Sequence, residues 1–357
     1  MRHRFAHPWS RRAWSSALVS AMLGCRRGEP AAKGPPPRTA ANRADTTRIV
    51  FGSCCDQRRP APIWDAIVQR DADLFLFIGD NVYADAEDEA KLRAAYDLLA
   101  ADAGWQALVR RTPVLAVWDD HDYGRNDAGR EYPLRDVSQQ IMLDFFAEPA
   151  DSPRRSQQGV YIAKMLGSGD RTLQIIMLDT RYFRDALLPQ SPGAMRYQPN
   201  PDPAATMLGE AQWAWLAARL AEPATVRLLV SSIQVISDEH PFESWGLFPH
   251  ERARLYELIG KTDGVVVLSG DRHRAELSRT DAEALAYPLY DLTSSSLNLP
   301  LPGGDPNRYR TGPLVEDANF GAVTVDWAKG SIELELALVD GSTALRQSVD
   351  IAALMRA

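Results

Sequence analysis

The chain has 357 residues, of which 45% are hydrophobic and 24% are charged, and this is the composition of a globular protein with a sizeable core. Its formal net charge of -7 excludes a basic surface for nucleic acid, and the sequence has no stripe of lysine and arginine with interleaved aromatic residues. We therefore expect small molecules, rather than nucleic acid, as partners.

Residues 1–24 have the pattern of an export signal, with a cationic start and a short apolar run that is too short to span a membrane as an ordinary helix. The stretch "SRRAW" resembles a twin-arginine signal, and "MLGC" resembles a lipoprotein box in which Cys25 would be acylated. The alternative is a plain signal whose cysteine is removed. We expect an exported bacterial protein, either periplasmic or held at a membrane by a lipid on Cys25.

Residues 25–46 are rich in proline, alanine and charge without periodicity, which indicates a disordered tether. From residue 47 to residue 357 no linker divides the chain, so this part is predicted to be one domain. Cys54 and Cys55 are adjacent, and ring strain disfavours a bond between neighbouring cysteines. The pair therefore indicates a task other than a structural disulfide.

Apolar strands alternate with helical stretches along this domain, which favours an α/β fold. Helices are predicted at 60–71, 207–222 and 250–261, and the alternating tail at 319–351 is typical of β-hairpins. Six strands are predicted to end in polar residues, at or near Cys54, Asp80, Asp119, Asp179, His240 and Asp271. Open α/β sheets place their ligands at the carboxyl ends of strands, so we expect these ends to converge on one site.

The converging side chains are dominated by carboxylates: Cys54, Asp80, Tyr83, Asp119, Asp120, His121, Asp122, Asn126, Arg181, His240, Asp271 and His273. So many acids cannot share a pocket in ionised form unless cations neutralise them. Aspartate and asparagine oxygens suit hard cations, whereas a thiolate together with a phenolate favours a strongly Lewis-acidic ion such as ferric iron. The sequence therefore predicts a site with more than one metal.

Each residue also has a structural alternative. Asp80 alone would more often cap a turn, Cys54 alone would more often fill a core, and His240 is equally well a surface histidine before Pro241. Cys55 is assigned to the core. The evidence for a metal site is therefore the joint occurrence of these residues.

The ordered motifs "FGSC", "LFLFIGDNVYAD", "VWDDHDYGRNDAG", "LDTRYFRD", "ESWGLFPHER" and "LSGDRHRAEL" resemble those of the alkaline phosphatase D (PhoD-like) metallophosphatases. This family is distantly related to calcineurin-like and purple acid phosphatases, and the resemblance covers roughly residues 47–330. It implies a four-layer α/β/β/α sandwich of mixed sheets. The metals would lie at strand ends between the two sheets, and the C-terminal hairpins would add edge strands.

The resemblance also implies roles for individual residues. Cys54, Asp80 and Tyr83 would bind iron, with Asp80 bridging to a second metal. The remaining roles are Asp120 as metal ligand, His121 as catalytic residue, Asn126 as calcium ligand, Asp271 and His273 as the final ligand motif, and Arg181 as the holder of substrate phosphate. Some family members read "DDHE" followed by paired asparagines, so the division of duties among Asp119, Asp122 and Asn126 stays open, as does the choice between one and two calcium ions.

These features predict a monomeric, exported hydrolase of phosphomonoesters or phosphodiesters, acting on small organophosphates, nucleotides or phospholipid head groups. Fe³⁺ and Ca²⁺, or other divalent metals, would neutralise the phosphate and supply metal-bound hydroxide, and His121 would protonate the leaving group. The alternatives are a phospholipase D-like phosphodiesterase of the same fold and a lipoprotein that binds metal or phosphate without catalysis. Retention of both His121 and Arg181 favours the enzyme.

Overall fold

A computed structural model describes residues 45–193 and 196–356. The predicted export signal, Cys25 and the predicted tether as far as residue 44 lie outside the described residues, so these assignments stay predictions. Among the residues that the structure describes, no helix is both long enough and apolar enough to cross a membrane.

The first half of the domain alternates short strands and helices. These elements are β1 (Thr46–Gly52), α1 (Ile63–Gln69), β2 (Leu74–Ile78), α2 (Glu89–Ala101), α3 (Ala103–Arg111), β3 (Val114–Val117), α4 (Asp120–Tyr123) and α5 (Arg135–Phe145). The three strands are parallel neighbours, and every residue of β2 is buried. This burial explains why β2 reads as a continuous apolar run rather than an alternating one.

The second half contributes the other parallel strands and the C-terminal meander. Its elements are β4 (Ile162–Ser168), β5 (Arg171–Met177), β6 (Leu188–Pro189), β7 (Tyr197–Gln198), α6 (Gly209–Leu220), β8 (Val226–Val230), α7 (Pro249–Ile259), β9 (Val265–Ser269), β10 (Ala275–Thr280), β11 (Leu289–Ser294), β12 (Asn319–Asp326), β13 (Ser331–Leu338) and β14 (Thr343–Asp350). The predicted helices at 60–71, 207–222 and 250–261 and the hairpins of the tail are confirmed.

The strands form two six-stranded mixed sheets, in the orders β14-β13-β12-β1-β2-β3 and β10-β11-β9-β8-β5-β4. Helices cover the first sheet, where the ring of Trp64 in α1 packs edge-on against Phe75 and Phe77 of β2. The sheets meet where the Ser53 carbonyl after β1 accepts hydrogen bonds from the backbone of residues 296 and 297 after β11. This arrangement confirms the expected α/β fold with mixed sheets, and the C-terminal strands extend the first sheet.

One strand is shorter than predicted. β8 ends at Val230, whereas the sequence pattern predicts a strand that continues almost to His240. The apolar residues Val235 and Ile236 beyond it are buried, but their backbone N–H groups donate to the carboxylate of Asp291 at 2.9 and 3.2 Å instead of to a neighbouring strand. A buried side chain thus replaces the sheet as the hydrogen-bond acceptor, and the chain is free to turn.

Candidate metal centre

Strand ends from both sheets deliver acidic side chains to one place. The ligand atoms of Asp80 after β2, Asp119 and Asp120 after β3, and Asp271 after β9 all lie within 4.8 Å of one another. Asp80 also belongs to two further such groups, one with Cys54 and His273 and one with Asp120 and His121. Asp80 is therefore the shared member of the cluster, as a bridging ligand would be.

The backbone turns sharply where these side chains leave their strands. Cys54, Asp80, Asp271 and His273 have φ angles of 58°, 48°, 68° and 54°, in the left-handed region that residues other than glycine rarely adopt. Asp271 and His273 thus lie in a strained loop just beyond the end of β9 at Ser269. Strain of this kind is concentrated at functional sites, where surrounding contacts hold it in place.

Gly79 allows the ends of β2 and β3 to approach each other. Its φ angle is 119°, and a Cβ atom at this position would lie 2.7 Å from the Cβ atom of Asp119. A larger residue would therefore push the Asp80 turn away from Asp119.

Sulfur, phenol and imidazole gather on one side of Asp80. The Cys54 thiol and the Tyr83 hydroxyl both donate to Oδ2 of Asp80, at 3.3 and 3.0 Å. The Tyr83 oxygen also lies 3.2 Å from Nε2 of His273, whose Nδ1 lies 2.6 Å from the carbonyl oxygen of Leu299. The Leu299 carbonyl thereby fixes the ring so that Nε2 faces the cluster.

The carboxylates of the cluster are electrostatically crowded. Burial and then the neighbouring carboxylates raise the pKa values of Asp80 and Asp271, against the opposing charges of His121 and Arg272. Burial alone would also raise the pKa of Asp120, but the charges of His121 and Arg181 lower it. The cluster therefore carries more negative potential than the surrounding side chains neutralise.

Two buried oxygens in the cluster lack partners. Oδ1 of Asp80 and Oδ2 of Asp119 accept no hydrogen bond from any described residue. A buried carboxylate oxygen without a donor is costly, and a cation within reach of both oxygens would remove that cost. The donor set of carboxylates, thiol, phenol and imidazole therefore fits bound metal ions.

His121 lies at the edge of the cluster with 16% of its side chain exposed. Its Nδ1 lies 2.7 Å from Oδ1 of Asp85, and its ring packs on that of Tyr83 at a centroid distance of 4.3 Å. Burial alone would lower the pKa of His121, but the charges of Asp120 and Asp80 raise it to about 11. In the metal-free protein these carboxylates thus favour the protonated imidazole, and Asp85 anchors its Nδ1.

Arg181, which the family resemblance makes the holder of substrate phosphate, is buried next to the cluster. Its side chain is 0% exposed, and its Nε and Nη2 atoms each lie 2.5 Å from Oδ1 of Asp119. Nη1 pairs with Glu243, which also binds Nε of Arg184 at 2.8 Å. Nε and Nη1 donate to two buried carboxylates and hold Asp119 in place, whereas Nη2 makes no hydrogen bond with a described residue, and no atom of the side chain is exposed.

Asp119 and Asp122 have different roles in the structure, although the sequence alone does not distinguish them. Asp119 belongs to the cluster, and the Ser232 hydroxyl also donates to its Oδ1 at 2.7 Å. Asp122 lies outside these groups, and its carboxylate accepts the Asp119 N–H at 2.8 Å and the Asn81 amide at 2.5 Å. Asp122 therefore ties the β2 and β3 turns together.

Two other candidates are not brought into the cluster. The Asn126 side chain is exposed, and its amide donates to Oδ2 of Asp127 at 2.6 Å, while the Asp127 backbone N–H contacts Asp120. His240 is buried, and its Nε2 lies 3.0 Å from Oε1 of Gln234. Asn126 is thus directed at Asp127 and His240 at Gln234, whereas Nδ1 of His240 has no hydrogen-bond partner among the described residues.

Sequence reasoning misses the residues that orient the cluster. Asp85 lies in the motif "LFLFIGDNVYAD" and Glu243 in "ESWGLFPHER". Their place within these motifs is a sequence signal that could have indicated a role at the site. Ser232 and Ser295 gave no signal, because each contacts the site only through the folding of a distant segment.

The chain resembles known proteins in both sequence and structure. A family model described as PhoD-like phosphatase matches residues 50–307. A solved structure described as "Structure of PhoD" has a TM-score of 0.71 and 18% identity, over 90% of this chain and 73% of that one. Purple acid phosphatase PPD1 from yellow lupin (Lupinus luteus) seeds has a TM-score of 0.60 and 14% identity, over 85% of this chain and 54% of that one.

A dimetal phosphatase from Danio rerio has a TM-score of 0.51 and 11% identity, over 86% of this chain and 99% of that one. At these identities the structural likenesses show the fold alone. No curated protein matches the chain.

Proposed function

The chain belongs to the PhoD-like phosphatase family, whose model matches residues 50–307, and from this premise we propose that it is an exported, metal-dependent hydrolase of small phosphomonoesters or phosphodiesters. The observation that carries the proposal is the convergence of Asp80, Asp119, Asp120 and Asp271 within 4.8 Å, at strand ends of two sheets. A phosphoester repels nucleophiles through its own negative charge, so its hydrolysis needs positive charge at a fixed position. A cluster of buried acids binds cations, and these cations would supply the positive charge in a protein whose own net charge is -7.

We assign iron to Cys54, Tyr83, His273 and Asp80, and one or two calcium ions to the carboxylates, with Asp80 shared. Sulfur and phenolate ligands favour the more Lewis-acidic ion, whereas oxygen ligands alone suit calcium or another hard divalent ion. When bound, these cations neutralise the phosphoester and lower the pKa of a bound water.

The proton for the leaving alkoxide comes from His121. Asp85 holds Nδ1 at 2.7 Å, and the partly exposed ring leaves Nε2 as the donor. A positioned general acid contributes roughly 10²- to 10⁴-fold to the rate. Arg181 supports this chemistry indirectly, because it fixes Asp119 inside the carboxylate group.

The N-terminal sequence supports export. The twin-arginine-like stretch would carry the domain across the membrane in folded form, already loaded with metal, and Cys25 would receive a lipid. The substrates are then phosphoesters found outside the cytoplasm.

The test is metal analysis of protein matured by export, together with hydrolysis of a chromogenic phosphomonoester and the corresponding diester. His121→Gln should keep its metals and lose turnover by about 10²-fold or more, whereas Asp80→Asn should lose both. His250→Gln is the matched control, because this histidine is exposed and its Nε2 lies 3.2 Å from the Pro201 carbonyl, away from the cluster. Wild-type protein that contains neither iron nor calcium and hydrolyses neither ester would refute the proposal.

A further inference from the structure

Ser295 joins two ligand candidates that come from different sheets. It follows β11, its side chain is fully buried, and its hydroxyl oxygen lies 3.0 Å from Sγ of Cys54 after β1. The same oxygen accepts a hydrogen bond from the backbone N–H of His273 at 2.7 Å. Cys54 and His273 belong to one group of possible metal ligands.

The direction of the serine proton follows from these contacts. The His273 N–H can only donate, so the Ser295 oxygen must act as the acceptor in that bond. The sulfur of Cys54 is the other contact of the hydroxyl, and a sulfur that ligates a metal is a thiolate, which can only accept. The hydroxyl proton therefore points at the sulfur.

The backbone around Ser295 keeps this geometry fixed. The N–H groups of residues 296 and 297 both bond to the carbonyl of Ser53, the residue before Cys54, at 3.2 and 3.0 Å. The hydroxyl is thus held on a segment that is anchored to the cysteine it contacts.

We propose that Ser295 is a positioning residue that donates a hydrogen bond to the metal-bound Cys54 thiolate and so sets how strongly the sulfur donates electrons to the metal. The inference rests on the proposed function in one respect, namely that Cys54 is a metal ligand. A hydrogen bond withdraws electron density from a coordinated sulfur, and contacts of this kind tune metal affinity and redox behaviour. Through its bond to His273, the same hydroxyl fixes the spacing between the sulfur and imidazole ligands.

Ser53 provides a matched control within the same environment. It is also buried, and its hydroxyl lies 3.7 Å from the Cys54 sulfur, farther than that of Ser295. The Ser53 hydroxyl donates to the carbonyl of Ser294 at 3.3 Å. Because the Ser53 proton is donated to Ser294, Ser53→Ala removes a neighbouring hydroxyl but leaves the hydrogen bond from Ser295 to the Cys54 sulfur in place.

The experiment uses full-length protein loaded with Co²⁺ and records its thiolate-to-cobalt charge-transfer absorption. This band should be present in the wild type and absent in Cys54→Ala. In Ser295→Ala it should move to longer wavelength, because the sulfur loses its hydrogen bond and becomes a stronger donor. Cobalt should bind about 10-fold more weakly, because the bond that fixes His273 relative to Cys54 is lost. In Ser53→Ala the band should stay at the wild-type position.

A band at the wild-type position in Ser295→Ala, or an equal displacement in Ser53→Ala, would overturn the proposal. Circular dichroism of the metal-free variants checks that they fold. Ser295→Thr retains the hydroxyl and should keep the wild-type band, so a displaced band in this variant would also count against the proposal, even where Ser295→Ala does not fold. A wild type without a thiolate band would overturn it as well, while turnover of the chromogenic esters by the native protein would show separately that the proposed function stands.

Discussion

Replacement of Arg181 by methionine tests whether this residue organises the cluster or binds substrate. Methionine keeps much of the straight side-chain volume and removes the charge. Asp119 would lose both contacts at 2.5 Å, whereas Glu243 would keep its ion pair with Nε of Arg184 at 2.8 Å. The substitution therefore leaves one buried carboxylate without a cationic partner and another with a single one.

Breaking a buried ion pair by removal of one partner costs about 3–5 kcal/mol. Because Arg184 still compensates Glu243, we expect a loss near the lower end, about 3 kcal/mol in the free energy of unfolding of metal-free protein. Urea unfolding followed by tryptophan fluorescence measures it. The control is Arg93→Met, since the Arg93–Glu89 pair is exposed at 46% and 55% and should contribute less than about 1 kcal/mol.

The opposite pattern would refute this reasoning. If Arg181→Met unfolds at the same urea concentration as Arg93→Met and instead raises the KM for a phosphoester with metal content unchanged, Arg181 contacts substrate, as the family resemblance implies. The burial of its side chain would then be the misleading observation.

Three further predictions concern residues outside the cluster. Burial, and next the charge of Arg272, lowers the pKa of His240 from 6.5 to about 3, so the unfolded chain binds a proton in this interval that the folded chain does not. The resulting contribution to the free energy of unfolding is fully present above pH 6.5 and falls as the pH drops, by up to about 1.4 kcal/mol per pH unit. Between pH 6.5 and 4, the free energy of unfolding of His240→Gln should therefore depend less steeply on pH than that of the wild type. Equal slopes for the two proteins would contradict the assignment. Asn126→Ala should retain the wild-type metal content by elemental analysis, because the Asn126 side chain is exposed and bonds to Asp127, and loss of a calcium ion would restore Asn126 as a ligand. Cys25→Ala should move the exported protein from the membrane to the soluble fraction on fractionation, whereas a soluble wild type would contradict lipidation.

The polar strand ends could be predicted because their signals are local. β2 is apolar at every position and is followed at once by Gly79 and Asp80, so both the buried strand and the polar residue at its end are visible in a few letters. The same holds for β3 and the acids after it. Their convergence then follows from the general rule that parallel strands end at one edge of a sheet.

The supporting contacts could not be predicted, because they join residues that are far apart in the chain. Ser295 and Cys54 are separated by 241 positions, and nothing near either residue indicates the other. The role of Asp122 depends on a short helical turn that brings its carboxylate back to the Asp119 N–H. Burial of Arg181 likewise depends on Glu243, 62 positions away. The sequence thus indicates which side chains converge, but not which of them hold the others in position.

The central claim is that the buried acids hold cations required for phosphoester hydrolysis. The direct measurement is turnover of a chromogenic phosphodiester and monoester by protein stripped of metal with a chelator and then reloaded with iron and calcium. We predict that stripping abolishes turnover, that reloading restores it in the wild type, and that Asp80→Asn cannot be restored. Undiminished turnover by the stripped wild type, with metal absent by elemental analysis, would contradict the claim.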